Sequence, residues 1–275
     1  MTLVETPLRD FDLPELWPYK TLKFQERHRA KSIFVAEGEL CVTRLIESGW
    51  GIQSVMAPAD WIAERRAWIE GQPGGELRVF TADRKLLETL TGFDYYQGLL
   101  AVGELPPPAQ LEEVLARRGG ARLLMAAEGL ANAENLGGLI RNCAAFGVAG
   151  LVAGETCCSP FLRRAVRASM GTVFRVPVVE TRHLESALAF MRESGVTCLA
   201  AHPRPDSPAP WDLDLSGDIC LVVGSEGSGL SPAIVAACDG TIGIPMASGV
   251  DSLNVNTAGG VLLYEAARQR RARSA

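Results

Sequence analysis

The sequence lacks any uninterrupted apolar stretch near the roughly 18 to 20 residues that a membrane-spanning helix needs, so a membrane-spanning chain is not expected. It also lacks the basic start and apolar run of a secretory signal, because MTLVETPLRDFDLPELWPYK carries acids and prolines there. A cytoplasmic protein is the expectation. Its seven cysteines are odd in number and show no CxxC spacing, which supports neither a zinc site nor a disulfide framework. Reduced, mostly buried thiols are expected instead. Histidine is scarce: His28, His183 and His202 are scattered without an HxxxH pair, and no metal centre is expected. Phosphate loops of the GxxxxGK[ST] type are missing, and the glycine-rich turn around Ser228 does not complete a GxSxG elbow. Internal repeats and low-complexity tracts are absent too.

What is present is an ordinary globular composition, 47% hydrophobic and 21% charged over 275 residues, enough for two domains. The formal net charge of −5 argues against a surface coated in cations, although a local basic face can still bind phosphates. From Ser32 to Gly103 the runs SIFVAEG, CVTRLIESG, IQSVMAP, LRVFTAD, RKLLETLTG and QGLLAVGEL read as strand, helix, strand, strand, helix, strand. Pro106-Pro107-Pro108 and the polar segment AQLEEVLARRGG read as a linker. The expected domains are therefore 1–106, a small α/β domain, and 107–275. The basic end, ARQRRARSA, reads as a fraying helix terminus rather than a binding arm.

ARLLMAAEG opens the second half as a continuous apolar run, the pattern of a strand buried on both faces. Leu136, Leu139, Ile140, Cys143, Ala144 and Gly147 then form one helical stripe, with Arg141 off it. GVAGLVAG, FRVPVV, VTCLAAH, DICLVVG and GTIGIP follow as strands, separated by the helix-like FLRRAVRASMG, ESALAFMRESG and SPAIVAAC. This alternation predicts a mostly parallel sheet covered by helices, with HPRPDSPAPWDLDLSG as an ordered surface loop.

DICLVVGSEGSGLSPAIV runs from a buried strand through a glycine-rich turn into a helix, with Ser231 as N-cap and Pro232 at the first helical position. It is not a dinucleotide fingerprint. Glu226 stands where the middle glycine should approach a pyrophosphate, and Ile244 stands about 20 residues on, where an acid should meet the ribose. Two other stretches accompany it, NLGGLIR from Asn135 to Arg141 and IPMASGVDSLNV from Ile244 to Val255.

These three motifs, in this order and at compatible spacing, resemble those of the SpoU/TrmH family of RNA ribose 2′-O-methyltransferases, within the SPOUT superfamily. NLGGLIR matches Asn-x-Gly-x-x-x-Arg, GSEGSGLS from Gly224 to Ser231 matches Gly-x-Glu-x-x-Gly-x-Ser, and IPMASGVDSLNV matches the third motif with one residue of loop length conceded. The pattern from Lys31 to Gly38 through QGLLAV resembles the family's L30e-like substrate-binding domain. The resemblance implies a SPOUT catalytic domain with a deep trefoil knot, S-adenosylmethionine as cofactor, RNA as substrate and a homodimer. By motif position, Gly224, Ile244, Met246 and Leu253 are implied cofactor contacts. Asn135, Arg141, Glu226, Ser252 and Asn254 are the implied catalytic set. Since arginine stays protonated in proteins, Arg141 is read as holding phosphate and stabilising a developing alkoxide. Ala133, where proline is frequent, and Asn256, where serine is frequent, depart from the family pattern.

Arg163, Arg164 and Arg167 cluster between the first two motifs and are candidate RNA contacts, with Arg175 nearby. Lys20, Lys23, Arg27, Arg29 and Lys31 form a second basic group. Ribosomal RNA is favoured over transfer RNA by the N-terminal domain. The rival readings are a non-catalytic RNA-binding protein that keeps the fold and a dinucleotide-dependent oxidoreductase; the intact motif residues speak against the first, Glu226 and Ile244 against the second.

Overall fold

The structure is a computed structural model that describes residues 1–91, 99–116, 121–203 and 206–274. Parts of five sequence-predicted segments, at 92, 97–98, 117–120, 204–205 and 275, lie outside the described residues. In chain order the strands are β1 (Thr2–Pro7), β2 (Ile33–Glu37), β3 (Ile52–Pro58), β4 (Glu76–Ala82), β5 (Leu100–Glu104), β6 (Leu123–Ala127), β7 (Gly150–Ala153), β8 (Val178–Glu180), β9 (Thr197–Ala201), β10 (Ile219–Val223) and β11 (Gly240–Ile242). The helices are α1 (Trp17–Lys20), α2 (Gln25–Ala30), α3 (Glu39–Glu47), α4 (Ala59–Glu70), α5 (Arg84–Thr91), α6 (Leu111–Ala116), α7 (Ala133–Ala145), α8 (Arg163–Ala168), α9 (Leu184–Glu193), α10 (Pro232–Ala237) and α11 (Val255–Ser274).

Two compact units result, Met1–Pro107 with Phe161–Phe174, and Pro108–Pro160 with Arg175–Ala275. The first unit holds a five-stranded mixed sheet in the order β1-β4-β3-β5-β2, over a core that includes Leu16, Tyr19, Val35, Met56 and Phe80. Among its strands and α-helices, β1, α1, α2 and α4 have no counterpart in the strand–helix reading of the sequence: β1 is a largely exposed edge strand, α1 and α2 precede β2, and α4 connects β3 to its parallel neighbour β4. Phe161–Phe174 joins this unit through four rings, Phe34, Trp50, Phe161 and Phe174, whose centroids lie 5.3 to 6.3 Å apart.

The second unit holds six strands in the order β11-β9-β10-β6-β7-β8, every pairing parallel. All residues of β6 and β10 are buried, as the uninterrupted apolar runs LLMAA and ICLVV require of central parallel strands. From β6 the chain runs outward to β7 and β8, then returns to lay β9, β10 and β11 on the other side. The reversal puts the loops after β6 and β10 side by side, and in open α/β sheets such a switch point is where ligands bind. The stripe Leu136, Leu139, Ile140 and Cys143 of α7 is fully buried and packs against α11. A Cβ on Gly259 would lie 2.6 Å from Leu139 Cδ1, so a small residue there permits this close packing.

At the opposite, amino end of β10, Asp218 anchors the sheet. Its carboxylate accepts from the Arg122 backbone N–H at 2.6 Å, from Nε at 2.8 Å and from Nη2 at 2.5 Å. Partial burial opposes the charge, but the combined Arg122 hydrogen bonds and charge outweigh it and hold the carboxyl below its ordinary value. A lowered folded value means stability that is present above the unfolded carboxylate value of roughly 3.9 and is lost as pH falls through the folded one. Asp218→Ala is expected to cost about 1.5 to 3 kcal/mol at neutral pH, the range for hydrogen bonds to a charged group. The deficit should shrink in acid, which urea unfolding at several pH values measures.

Candidate functional site

The site forms over the carboxyl ends of β9, β10 and β11, where a cavity of about 310 Å³ opens. Gly224 directly follows β10, and its neighbour begins a turn closed by two backbone bonds: Ser225 N–H donates to Gly229 O at 3.2 Å, and Gly229 N–H to Ser225 O at 2.9 Å. The turn is so tight that a Cβ on Gly224 would overlap the Gly229 carbonyl carbon. Gly229 supplies the left-handed φ of +66° that brings the chain back. Helix α10 then starts as its sequence predicts, with Ser231 Oγ accepting from Ile234 N–H at 3.3 Å and Pro232 at the first position.

Gly224, Ile244, Met246 and Leu253 all line the cavity, together with Glu226 and Ser252. Glu226 accepts a hydrogen bond from Asn254 Nδ2. The same amide nitrogen donates to Asn135 Oδ1 at 3.3 Å, so one side chain ties all three sequence motifs together. Asn135 Oδ1 also accepts from Asn256 Nδ2 at 3.4 Å, Asn254 Oδ1 accepts from Asn256 N–H at 2.9 Å, and Asn142 Nδ2 donates to Asn256 O at 2.8 Å. Each Asn254 amide hydrogen and each Asn135 oxygen lone pair thereby has a partner.

Ser252 and Asn254, two residues apart, serve different neighbours: Ser252 faces the cavity, whereas Asn254 reaches Glu226 and Asn135. Asn135 itself is 9% exposed in the first turn of α7 and does not cap it. The cap is Asn132, whose Oδ1 accepts from Glu134 N–H at 2.8 Å, because the side chain must precede the first turn to reach its free N–H groups. Arg141 lies six residues beyond Asn135, roughly 9 Å along the helix axis. It is exposed and takes no part in the asparagine network.

The three arginines between the first two motifs fall in the first unit. Arg163 and Arg167 both pair with Glu37, Arg167 Nη1 at 3.3 Å, while Arg164 is exposed. Sequence reasoning missed Glu128, whose Oε2 accepts Ser231 N–H at 2.7 Å and clasps the loops after β6 and β10 across the switch point. Only its place directly after a buried strand could have signalled it. The structural part of Asn256 was also missed; its departure from serine was the signal. Among the described residues no group of three or more His, Cys, Asp or Glu could hold a metal ion, and no helix is long and apolar enough to cross a membrane.

A parallel α/β domain with a mostly apolar cavity at the carboxyl ends of its strands, edged by a few convergent polar groups, belongs to the class that binds a small organic ligand there. The chain belongs to the SpoU rRNA methylase family, whose model matches residues 122–264. It is 32% identical over 266 residues to an "uncharacterized tRNA/rRNA methyltransferase" of Mycobacterium tuberculosis, covering 94% of this chain and 90% of that one. It is 31% identical over 214 residues to a 23S rRNA (guanosine-2′-O-)-methyltransferase RlmB of a Burkholderia species, covering 78% and 86%. Among solved structures, an AdoMet-bound rRNA methyltransferase from Sinorhizobium meliloti superposes with a TM-score of 0.81 at 26% identity, covering 96% of this chain and 98% of that one.

Because any side chain at 224 must push the turn backbone aside, Gly224→Ala is expected to cost about 1 to 3 kcal/mol of overpacking strain. Ala at Gly227, where a Cβ would meet nothing within 4 Å, should cost much less. Paired urea melts of the two variants check the contrast.

Proposed function

We propose that this protein transfers the methyl group of S-adenosylmethionine to a ribose 2′-hydroxyl of RNA, with ribosomal RNA as the substrate class. The observation that carries the reading is the joining of Asn135, Glu226 and Asn254 in one hydrogen-bonded chain at the edge of a cavity lined by Gly224, Ile244, Met246 and Leu253. The names of the Burkholderia and Sinorhizobium relatives support ribosomal RNA.

The lining suits the cofactor. Ile244, Met246 and Leu253 offer an apolar wall to a purine, and the hydroxyls of Ser225 and Ser252 offer polar partners to its ribose and amino-acid portions. Glu226 sets a carboxylate on the same cavity, the right sign for a cation. Bound there, S-adenosylmethionine supplies a methyl group on a positively charged sulfur. The chain's own task is positioning: in-line transfer needs the 2′-oxygen held behind that methyl. The hydroxyl that accepts the methyl group would give up its proton to water or to an RNA phosphate. Arg141, exposed on α7, holds phosphate and stabilises the developing negative oxygen. Asn254 fixes Glu226 and Asn135 relative to each other.

In the same reading residues 1–106 form the L30e-like RNA-binding domain, the C-terminal passage through the cavity loops is knotted, and the protein works in the cytoplasm. Arg164 of the first unit contributes to RNA binding. A homodimer is supported by exposed apolar side chains on α11, Val261 and Tyr264, the latter 60% exposed and meeting half-buried Phe146, just past α7, edge-on at 6.3 Å.

Incubation with labelled S-adenosylmethionine and unmodified ribosomal or transfer RNA transcripts, followed by alkaline hydrolysis, tests the reaction. A 2′-O-methyl group blocks cleavage at its own linkage, so label is expected in alkali-resistant dinucleotides from ribosomal RNA. Label in mononucleotides would mean base methylation. Arg141→Lys keeps the charge but loses the guanidinium fork, and kcat is expected to fall about 10²-fold, the scale for one lost transition-state donor; unchanged turnover would remove Arg141 from the mechanism.

A further inference from the structure

We propose that Phe24, with the cations around it, is a stacking platform for a single-stranded stretch of the substrate RNA. This rests on the reading that the substrate is RNA and adds a contact site on the first unit.

Residues 17–31, WPYKTLKFQERHRAK, hold Lys20, Lys23, Arg27, Arg29 and Lys31 against one acid, Glu26, in a chain whose net charge is −5. Two aromatic rings stand among these cations. Phe24, 54% exposed, carries the Arg27 guanidinium 4.9 Å from its ring centroid. Trp17 carries the Lys31 ammonium at 5.2 Å. The backbone beneath is fixed: Phe24 N–H donates to Thr21 O at 2.8 Å, and Arg27 N–H to Phe24 O at 3.0 Å. Buried His28 meets Thr21 Oγ1 through Nε2 at 2.9 Å and sets its ring 5.3 Å from Trp17. The platform is therefore largely pre-formed, and a ligand orders little by landing on it.

A lone exposed phenylalanine needs no explanation, and a lone cluster of lysines is usually solvated surface. Their combination is specific. Nucleobases stack on aromatic faces and on guanidinium planes, while neighbouring ammonium groups take the phosphates. A paired duplex hides its base faces and could use only the charges. The surface also reaches α8: Gln25 Oε1 accepts the Arg163 backbone N–H at 2.5 Å, a bond between the residue just after Phe24 and the residue just before exposed Arg164. The two basic groups, more than a hundred residues apart in the chain, thus meet on one unit.

The test is fluorescence anisotropy with the full-length protein, a short unstructured RNA and the same RNA annealed to its complement. Phe24→Ala should weaken single-strand binding about 5- to 140-fold, the range measured for lost base stacking, with little change for the duplex. Phe24→Tyr should restore affinity. Lys23→Gln should lower the slope of log affinity against log salt by about 0.7, one phosphate contact on a single strand. Equal loss for single strand and duplex, or an effect of Lys23→Gln but none of Phe24→Ala, would overturn the platform. A wild type that methylates RNA but shows no change in Phe24→Ala overturns this inference alone; a wild type that neither binds nor methylates RNA removes the functional reading as well.

Discussion

The amide nitrogen of Asn254 is the joint on which the site depends. It donates to Glu226, in the turn after β10, and to Asn135, in the first turn of α7, so three segments far apart in sequence are held at one point. With both amide hydrogens committed, and Asn135 Oδ1 already accepting from Asn254 and Asn256, rotating any of these amides would set oxygen against oxygen or nitrogen against nitrogen. The network consequently has one arrangement. It also explains a local choice of residue: a Cβ on Gly138 would lie 2.6 Å from Asn256 Nδ2, so glycine at 138 makes room for asparagine at 256. Asn256 Oδ1 is left buried without a partner, the residual cost of turning its amide nitrogen toward Asn135.

Much of this was legible in the sequence because a parallel sheet writes itself in long apolar runs. LLMAA and ICLVV are buried at every residue, and the Ser231-Pro232 start of α10 lies where its chemistry requires. The grouping of the site residues came from motif resemblance, since nothing in local periodicity relates Asn135 to Asn254, 119 positions away.

What was not legible has physical reasons. In α4, Trp61-Ile62 and Trp68-Ile69 lie two turns apart on one face, but Glu64 and Arg65 occupy that face in the turn between them, which breaks the apolar stripe that marks a helix. Strand β1 is an edge strand, mostly exposed and ending in proline, so it has no buried face to show in its sequence. The membership of Phe161–Phe174 in the first unit depends on rings packing against Phe34 and Trp50, more than a hundred residues earlier. Glu128 reads as any acid at the end of a strand until the return of β10 brings Ser231 to it.

The turn after β10 shows why a glycine-rich strand-to-helix loop does not define its ligand. Its glycines solve a backbone problem, the contact between positions 224 and 229, which would arise whatever the cavity held. The ligand's charge is decided by the side chain that the turn displays. A pyrophosphate would be repelled by Glu226, and Asn254 cannot neutralise that carboxylate; it only orients it. The same orientation favours a cation, and a sulfonium is a cation that hydrogen-bond donors cannot hold. In the proposed reading, a carboxylate fixed by a neutral amide is what suits this turn to a cationic ligand, and a cationic partner in place of Asn254 would satisfy Glu226 while cancelling that preference.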